Sequence, residues 1–293
     1  MTGLPPLPAE RAGYPAPPDL AERRAQMAAA VAAGAFRGAR EPVETTLAGL
    51  RTLRFPPAGE KRGVLLQLHG GGFRIGRPEF ECVLASLLVE RCGIEVVVPQ
   101  YRLAPEHPFP AGLNDAWAAL AAVRAETAGP LILGGDSAGA GLAAGLAVRA
   151  VAEGGPRIDG LVLLSPWLDL TVSAGAYRPN AASDAMFSAE SAGLAAELYL
   201  QGCDPRHPRA SPLFAPVAGL PPTLISVGTG EVLVDDSRRF HERLAAAGVP
   251  SEIVPVAGME HVAVVRGLAM PGAAETFERI AAFVDRTCGA YGS

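Results

Sequence analysis

Ser137 is the first residue whose surroundings point to chemistry. It is the central residue of Gly135-Asp136-Ser137-Ala138-Gly139, after the apolar segment LIL and before a run of small residues (AGLAAGLAV) that favours a closely packed helix. A serine on a sharp strand-to-helix turn exposes its hydroxyl, and glycines on both sides let the turn pass close to its neighbours. The pattern therefore predicts a nucleophilic serine.

A run of three glycines is the second candidate. The sequence His69-Gly70-Gly71-Gly72-Phe73 follows the apolar segment GVLLQL and comes well ahead of the serine motif. Consecutive glycines allow a loop to turn its backbone N–H groups into a concavity that can hold a developing oxyanion. The loop is therefore expected to stabilise charge opposite the nucleophile.

His261 is the histidine best placed to act as a base. It is one of five histidines, and it comes shortly after the last strand-like segment, in GMEH, which gives the order serine, acid, histidine. No two histidines have the i, i+4 spacing of a metal site, and H-E-x-x-H is absent. We expect neither a metal nor an organic cofactor.

The carboxylate partner of His261 is open between two positions. Glu231 lies four residues after Val227, which ends the segment TLISV, and an orienting acid belongs in such a loop. Asp235 and Asp236 follow and look like the N-cap and first turn of the next helix. We predict Glu231 as the acid and keep Asp235 as the alternative.

The serine region also contains a dinucleotide-binding pattern. Residues 139–144 fit G-x-G-x-x-A, and Asp159 lies 20 residues after Gly139. In a dinucleotide site the first glycine directly follows the strand and the acid ends one, whereas here Gly139 comes later and Asp159 precedes its strand. An NAD(P)-dependent oxidoreductase is therefore a remote alternative.

The segments between these motifs must position them. Apolar runs rich in β-branched residues predict strands at 63–68, 94–99, 131–133, 158–164, 223–227 and 251–256. Helical stretches are predicted at 79–91, 113–126, 138–153, 235–247 and 273–287. This alternation predicts an α/β fold with a doubly wound, mostly parallel sheet, and segment 44–55 adds antiparallel edge strands.

Two regions interrupt the alternation. Residues 1–43 are rich in Pro, Ala and Arg with a helical patch at 20–33, and residues 168–217 form a long excursion between two strands. Long insertions in such sheets are often lids or binding elements. The predicted organisation is an N-terminal cap segment (1–43), a first catalytic part (44–167), a cap insertion (168–217) and a second catalytic part (218–293).

Composition excludes other classes of protein. The formal charge is −5 and no basic stripe is present, so nucleic acid is not an expected partner. Lys61 is the single lysine and Arg62 follows it, so a Gly-Lys-Ser/Thr phosphate loop is excluded. The four cysteines have no C-x-x-C spacing, and neither an export signal nor a membrane span is evident. We expect free thiols and a cytoplasmic location.

The motifs together resemble those of a known family. HGGGF, YRLAPEHPFPA, GDSAG, SPWLDLT, LPPTLISVG and GMEH, between about residues 64 and 261, occur in the order found in bacterial hormone-sensitive-lipase-like esterases of the α/β-hydrolase fold. The resemblance implies a serine carboxylesterase with a helical cap, with Ser137 as nucleophile and His261 as base. It also implies that the N–H groups of Gly71, Gly72 and Ala138 are the oxyanion donors. A glutamate replaces the commoner aspartate at the acid position.

A small ester is the expected substrate. The apolar side chains expected to face the cleft are Phe73, Met186, Phe187, Leu213 and Phe214. An apolar pocket of this kind suits a short acyl chain or a compact cyclic ester. A hydrolase-fold receptor that binds a small molecule without turning it over is the alternative function. The last predicted helix could form a homodimer surface.

Overall fold

A computed structural model describes residues 3–289, which contain an eight-stranded sheet. Its strands are β1 (Val43–Leu47), β2 (Leu50–Phe55), β3 (Val64–Leu68), β4 (Glu95–Pro99), β5 (Leu131–Asp136), β6 (Gly160–Leu164), β7 (Thr223–Gly228) and β8 (Ser251–Val256). The strand order is β1-β2-β4-β3-β5-β6-β7-β8. Strands β1 and β2 pair antiparallel with each other, β2 pairs antiparallel with β4, and the remaining pairs are parallel. The predicted fold class is confirmed.

The central strands are buried throughout because helices cover both faces of the sheet. Every residue of β3 to β7 is buried, as expected for parallel strands between two helical layers. Strand β5 extends to Asp136, three residues beyond its predicted end. The two extra glycines keep the hydrogen-bonded register with β3 and β6, so the strand runs directly into the serine turn.

The described part of the chain contains seven α-helices. They are α1 (Pro18–Ala32), α2 (Cys82–Cys92), α3 (Ala111–Glu126), α4 (Ala138–Glu153), α5 (Ala189–Leu200), α6 (Val234–Ala246) and α7 (Ala273–Gly289). The core on one face includes α2 and α7, and the core on the other includes α3, α4 and α6. No helix in residues 3–289 has the length and apolar character needed to cross a membrane.

The two edges of the parallel sheet carry different chemistry. The loops that leave β3, β5, β7 and β8 at the carboxyl edge contain the glycine run, the serine motif, the acidic residues and His261. At the opposite edge, the single lysine is fixed by an ion pair of 2.9 Å between Lys61 Nζ and Glu95 Oε2 at the start of β4. All the candidate chemistry is therefore gathered at one edge.

The N-terminal segment and the 168–217 insertion contact each other. Arg209 Nη1 donates to the carbonyl of Pro5 at 2.9 Å, and Arg11 donates to the carbonyl of Gln201 just after α5. Helix α1 is tied to the glycine loop because Arg24 Nε donates to the carbonyl of Arg74 at 2.7 Å. The division of the chain into cap and catalytic parts stays a prediction.

Candidate active site

Ser137 lies on the turn between β5 and α4, in a backbone conformation that residues other than glycine rarely adopt. Its φ is 53° and its ψ is −119°. Close packing demands glycine on both sides. A Cβ on Gly135 would lie 2.4 Å from the carbonyl of Gly139, and a Cβ on Gly139 would lie 2.0 Å from the carbonyl oxygen of Leu68. The turn is therefore strained and held by contacts that only glycine permits.

A continuous chain of hydrogen bonds links Ser137, His261 and Glu231. His261 Nε2 lies 2.9 Å from Ser137 Oγ, and His261 Nδ1 lies 2.6 Å from Glu231 Oε2. The three side chains come from the loops after β5, β8 and β7, and all three are buried. The structure thus brings together the three residues chosen from the sequence.

Glu231 is fixed by bonds to its other oxygen. Glu231 Oε1 accepts hydrogen bonds from Ser165 Oγ at 2.8 Å and from the Gly228 N–H at 2.5 Å. Ser165 Oγ also accepts from the Val262 N–H at 3.2 Å, so one hydroxyl connects the acid loop to the residue after His261. The carboxylate is therefore held in place on the side facing away from the imidazole.

Asp235 and Asp236 lie in the first turn of α6, as predicted, but the prediction that an aspartate caps this helix is wrong. The N-cap of α6 is Leu233, and no side chain caps that helix. Asp235 Oδ2 instead accepts from the Ala176 N–H at 2.8 Å. Asp236 is fully buried, and its Oδ2 accepts from the N–H groups of Leu168 and Asp169. Both carboxylates lie in the first turn but stabilise the segment after β6.

The pKa of His261 is raised above its ordinary value of 6.5. Burial alone would lower it by favouring the neutral ring, but the negative charge of Glu231 and the hydrogen bond to it outweigh burial. The nearby carboxylates of Asp184 and Asp136 act in the same direction. The imidazole is thus a stronger base than a free histidine.

The predicted oxyanion donors are backbone N–H groups in the glycine loop and at the start of α4. Gly71 and Gly72 have φ values of 111° and 60°, in the left-handed region that favours glycine. Within residues 3–289, the N–H groups of Gly71, Gly72 and Ala138 donate to no protein acceptor. Ala138 begins α4, so its free N–H also lies at the positive end of the helix dipole.

Asp136, which directly precedes Ser137, forms a buried pair of carboxyl groups with Glu81. Gln67 Nε2 donates to Glu81 Oε2 at 3.0 Å, while Glu81 Oε1 and Asp136 Oδ1 are buried without another partner. Burial, together with the neighbouring Asp136, raises the pKa of Glu81 well above its ordinary value. We infer that a proton held by Glu81 bridges the two groups. His69 is a poor base because burial lowers its pKa to about 4.

Of the five predicted pocket residues, Phe187 and Met186 lie near His261. The Phe187 ring stacks parallel to His261 with centroids 6.1 Å apart, and Met186, which is 53% exposed, lines a small cavity together with His261. Phe73 stacks on Tyr199 with centroids 3.9 Å apart. The contacts of Leu213 and Phe214 are elsewhere: Leu213 is a core residue, and the Phe214 ring lies under Arg206.

The dinucleotide pattern has a structural explanation. Gly139 lies inside α4, where its missing side chain permits close approach to β3. Asp159 precedes β6 at the amino edge of the sheet and accepts from the Leu131 N–H at 2.9 Å. These contacts give no support to a nucleotide site. The described residues contain no cluster of three or more potential metal ligands.

Three residues that hold the acid loop could not be identified from the sequence. Asn180 Nδ2 donates to the carbonyl of Glu231 at 2.7 Å, and Ser183 Oγ donates to the carbonyl of Gly230 at 2.8 Å. Asp184 Oδ2 accepts from the Val232 N–H at 3.0 Å. These side chains belong to the insertion, so the insertion positions the acid. Only Ser165 had a usable signal, its position directly after β6 in SPWLDLT.

Comparisons with known proteins show which family the chain is similar to. The family described as alpha/beta hydrolase fold matches residues 65–265. The chain is 39% identical to an acetyl-hydrolase from Streptomyces hygroscopicus, over 70% of each chain. It is 36% identical to an esterase from Acinetobacter venetianus, over 73% of this chain and 71% of that one. A solved hormone-sensitive lipase from a metagenome library superimposes with a TM-score of 0.87 and 34% identity, covering 95% of this chain and 94% of that one.

Proposed function

The chain belongs to the α/β-hydrolase family, among its hormone-sensitive-lipase-like esterases, and on that premise we propose that it hydrolyses short-acyl or compact cyclic esters through Ser137, His261 and Glu231. The enzyme is a carboxylic ester hydrolase. The proposal rests on one observation: Ser137, which lies on a strained turn, is linked through His261 to Glu231 by two hydrogen bonds.

In the proposed mechanism, Ser137 Oγ attacks the ester carbonyl while His261 Nε2 accepts its proton. The N–H groups of Gly71, Gly72 and Ala138 then stabilise the oxyanion of the tetrahedral intermediate. His261 donates the proton to the leaving alcohol, which leaves an acyl group on Ser137. Water repeats the cycle with His261 as base, and the acid is released. Glu231 holds the ring in the correct tautomer and stabilises its protonated form.

The proposed preference for small esters rests on the space around the serine. Ser137 is 6% exposed and His261 is 7% exposed. Phe187 packs against the base, and Trp167 contacts Phe187 edge-on at 5.2 Å between centroids. An apolar, confined site of this kind suits a short acyl chain.

A fluorophosphonate probe tests the nucleophile directly. We expect a mass adduct on Ser137 in the wild-type protein, together with hydrolysis of 4-nitrophenyl acetate or butyrate. The Ser137→Ala variant is expected to lose both the adduct and the turnover. Absence of turnover and of an adduct in the wild-type protein would refute the proposal and favour a receptor that binds a small molecule without chemistry.

A further inference from the structure

Within residues 3–289, the positive charge of Arg74 has no ion-pair partner. It follows the glycine loop, is 8% exposed, and its Nε is fully buried without a hydrogen-bond partner. In the part of the chain that the structure describes, the Arg74 guanidinium forms no ion pair and donates no hydrogen bond to a protein acceptor. Arginine stays protonated in proteins, so the group is a buried, unpaired cation.

Arg209 shows what a buried arginine in this protein otherwise looks like. It is 6% exposed, its Nη2 forms an ion pair with Glu153 at 2.7 Å, and its Nη1 donates to the carbonyl of Pro5 at 2.9 Å. Leaving a buried charge without such partners is strongly unfavourable. The absence of a partner for Arg74 within residues 3–289 is therefore the observation that suggests a bound anion at this position.

The guanidinium of Arg74 lies against the predicted oxyanion loop. A methyl group placed on Gly72 would be 3.7 Å from Arg74 Nε and 3.8 Å from its Nη2. The same methyl group would be 3.9 Å from Cβ of Ala195 in α5, so the cation and that helix both lie near Gly72. A bound ester with its oxyanion on the N–H group of Gly72 would pass close to this cation.

The surrounding charges keep this position attractive to anions. Burial lowers the pKa of Arg74, and the positive charges of Arg23 and Arg24 act in the same direction. The negative charge of Asp19 acts in the opposite direction. The side chain of Arg24 is itself paired with Glu106 at 2.6 Å. Arg74 is the cation in this group that lies against the glycine loop and lacks a partner.

We propose that Arg74 binds a carboxylate of the substrate, so that the preferred esters carry an anionic group a few bonds from the scissile carbonyl. The inference rests on the proposed function of Ser137 and names the substrate class for that site. A planar guanidinium can bind a carboxylate through two parallel hydrogen bonds, and such bonds are stronger in a desolvated site. Arg74 is thus a specificity-determining residue.

Two pairs of esters that differ only in charge test this proposal. The first pair is mono-4-nitrophenyl adipate and its methyl ester, which carry the group on the acyl side. The second pair is 4-acetoxyphenylacetic acid and its methyl ester, which carry it on the alcohol side. The wild-type enzyme is expected to prefer the acid in one pair by at least about tenfold in kcat/KM. The pair that shows the preference identifies whether Arg74 binds a carboxylate on the acyl portion or on the alcohol portion of the ester.

The preference should disappear in Arg74→Gln, where the ratio of kcat/KM values falls to about one, and should be partly kept in Arg74→Lys. Arg23→Gln is the matched control, since it removes a neighbouring but exposed positive charge and should leave the ratio as it is. Equal rates on acid and methyl ester in both wild-type pairs would overturn the proposal. A preference that survives in Arg74→Gln would overturn it too.

A binding measurement separates this proposal from the catalytic one. In the Ser137→Ala background, monomethyl adipate should raise the Tm more than dimethyl adipate, and Arg74→Gln should remove that difference. The same result is expected even if Ser137 is not the nucleophile. Arg74→Gln should also leave the Tm unchanged or raise it, because it removes an unpaired buried charge. Equal shifts with both ligands would contradict the proposed carboxylate site.

Discussion

Glu231 is the residue whose replacement tests the hydrogen-bonded chain most directly. In a related triad, exchange of the acid for its amide lowers turnover about 10⁴-fold because the histidine loses its orientation and its countercharge. We therefore expect Glu231→Gln to lose most of its kcat while it still folds. Turnover of 4-nitrophenyl butyrate and the Tm are the measurements.

Asp235→Asn is the matched control for that variant. The amide oxygen can still accept the hydrogen bond from the Ala176 N–H, and Asp235 does not contact His261. Its activity should stay close to that of the wild type. A large loss in Asp235→Asn with full activity in Glu231→Gln would move the acid to position 235.

The dependence of activity on pH follows from the raised pKa of His261. The ring must be neutral to accept the Ser137 proton, so kcat/KM should fall as the pH drops through a midpoint above 6.5. In Glu231→Gln the charge that opposes burial is gone, so the midpoint of any residual activity should move to lower pH. A pH profile of both proteins checks this. An unchanged midpoint would show that Glu231 does not control the base.

The sequence predicted the three side chains that the structure brings together better than the residues that hold them. Ser137, Glu231 and His261 follow strand ends, and parallel strands bring their carboxyl ends to one edge of the sheet. The bond from Asn180 to the Glu231 carbonyl joins positions 51 residues apart within an irregular insertion. No periodicity or motif indicates such a contact. Arg74 also gave no signal, because its burial and its lack of a partner are properties of the folded chain and of no sequence pattern.

At the scale of the elements, Asp236 in the first turn of α6 accepts hydrogen bonds from the segment after β6, and its protonation makes the stability of the protein depend on pH. Burial raises the pKa of Asp236 to about 7. Its unfolded value is about 3.9, so the folded state binds the proton more tightly. The stability that this proton contributes is complete below about pH 3.9 and is lost as the pH rises through about 7.

Asp236→Asn should remove that loss of stability. The asparagine oxygen can accept both N–H groups, from Leu168 and Asp169, without a buried charge. We expect the Tm of the variant to exceed that of the wild type increasingly as the pH rises from 5 toward about 8. Asp236→Ala, which leaves both N–H groups unpaired, should be less stable at every pH. Thermal melts across this range decide. Parallel profiles for wild type and Asp236→Asn would refute the prediction.

Element positions were predicted closely, but one boundary effect was not. The strands and helices of the sheet appear within a few residues of their predicted bounds because continuous apolar runs and Ala-rich helices give strong signals. The cap of α6 was misassigned, since an aspartate at a helix start has the same sequence pattern whether it bonds its own helix or another segment. That choice depends on the segment after β6, which passes within reach of Asp235 and Asp236.

At the scale of the whole molecule, the covered carboxyl edge should limit substrate length. The insertion carries Phe187 onto His261, and α5 lies over the glycine loop. We expect kcat/KM for a series of 4-nitrophenyl esters to be highest for short acyl chains and to fall beyond about eight carbons, the limit expected for a confined apolar pocket. A series from acetate to palmitate measures this. Efficient hydrolysis of long-chain triglycerides would contradict it.

The ion pair between Lys61 and Glu95 has a practical consequence for work with this enzyme. Lys61 carries the only side-chain amine, and it lies at the amino edge of the sheet, roughly one strand length or 17 Å from the edge that holds Ser137. Coupling to an amine-reactive bead or sensor chip through that side chain would orient the molecules with the Ser137 edge of the sheet toward the liquid. Acylation would cancel the charge of Lys61, but Arg54 would still bond Glu95 at 2.7 Å. The attached enzyme should therefore remain folded and accessible in flow.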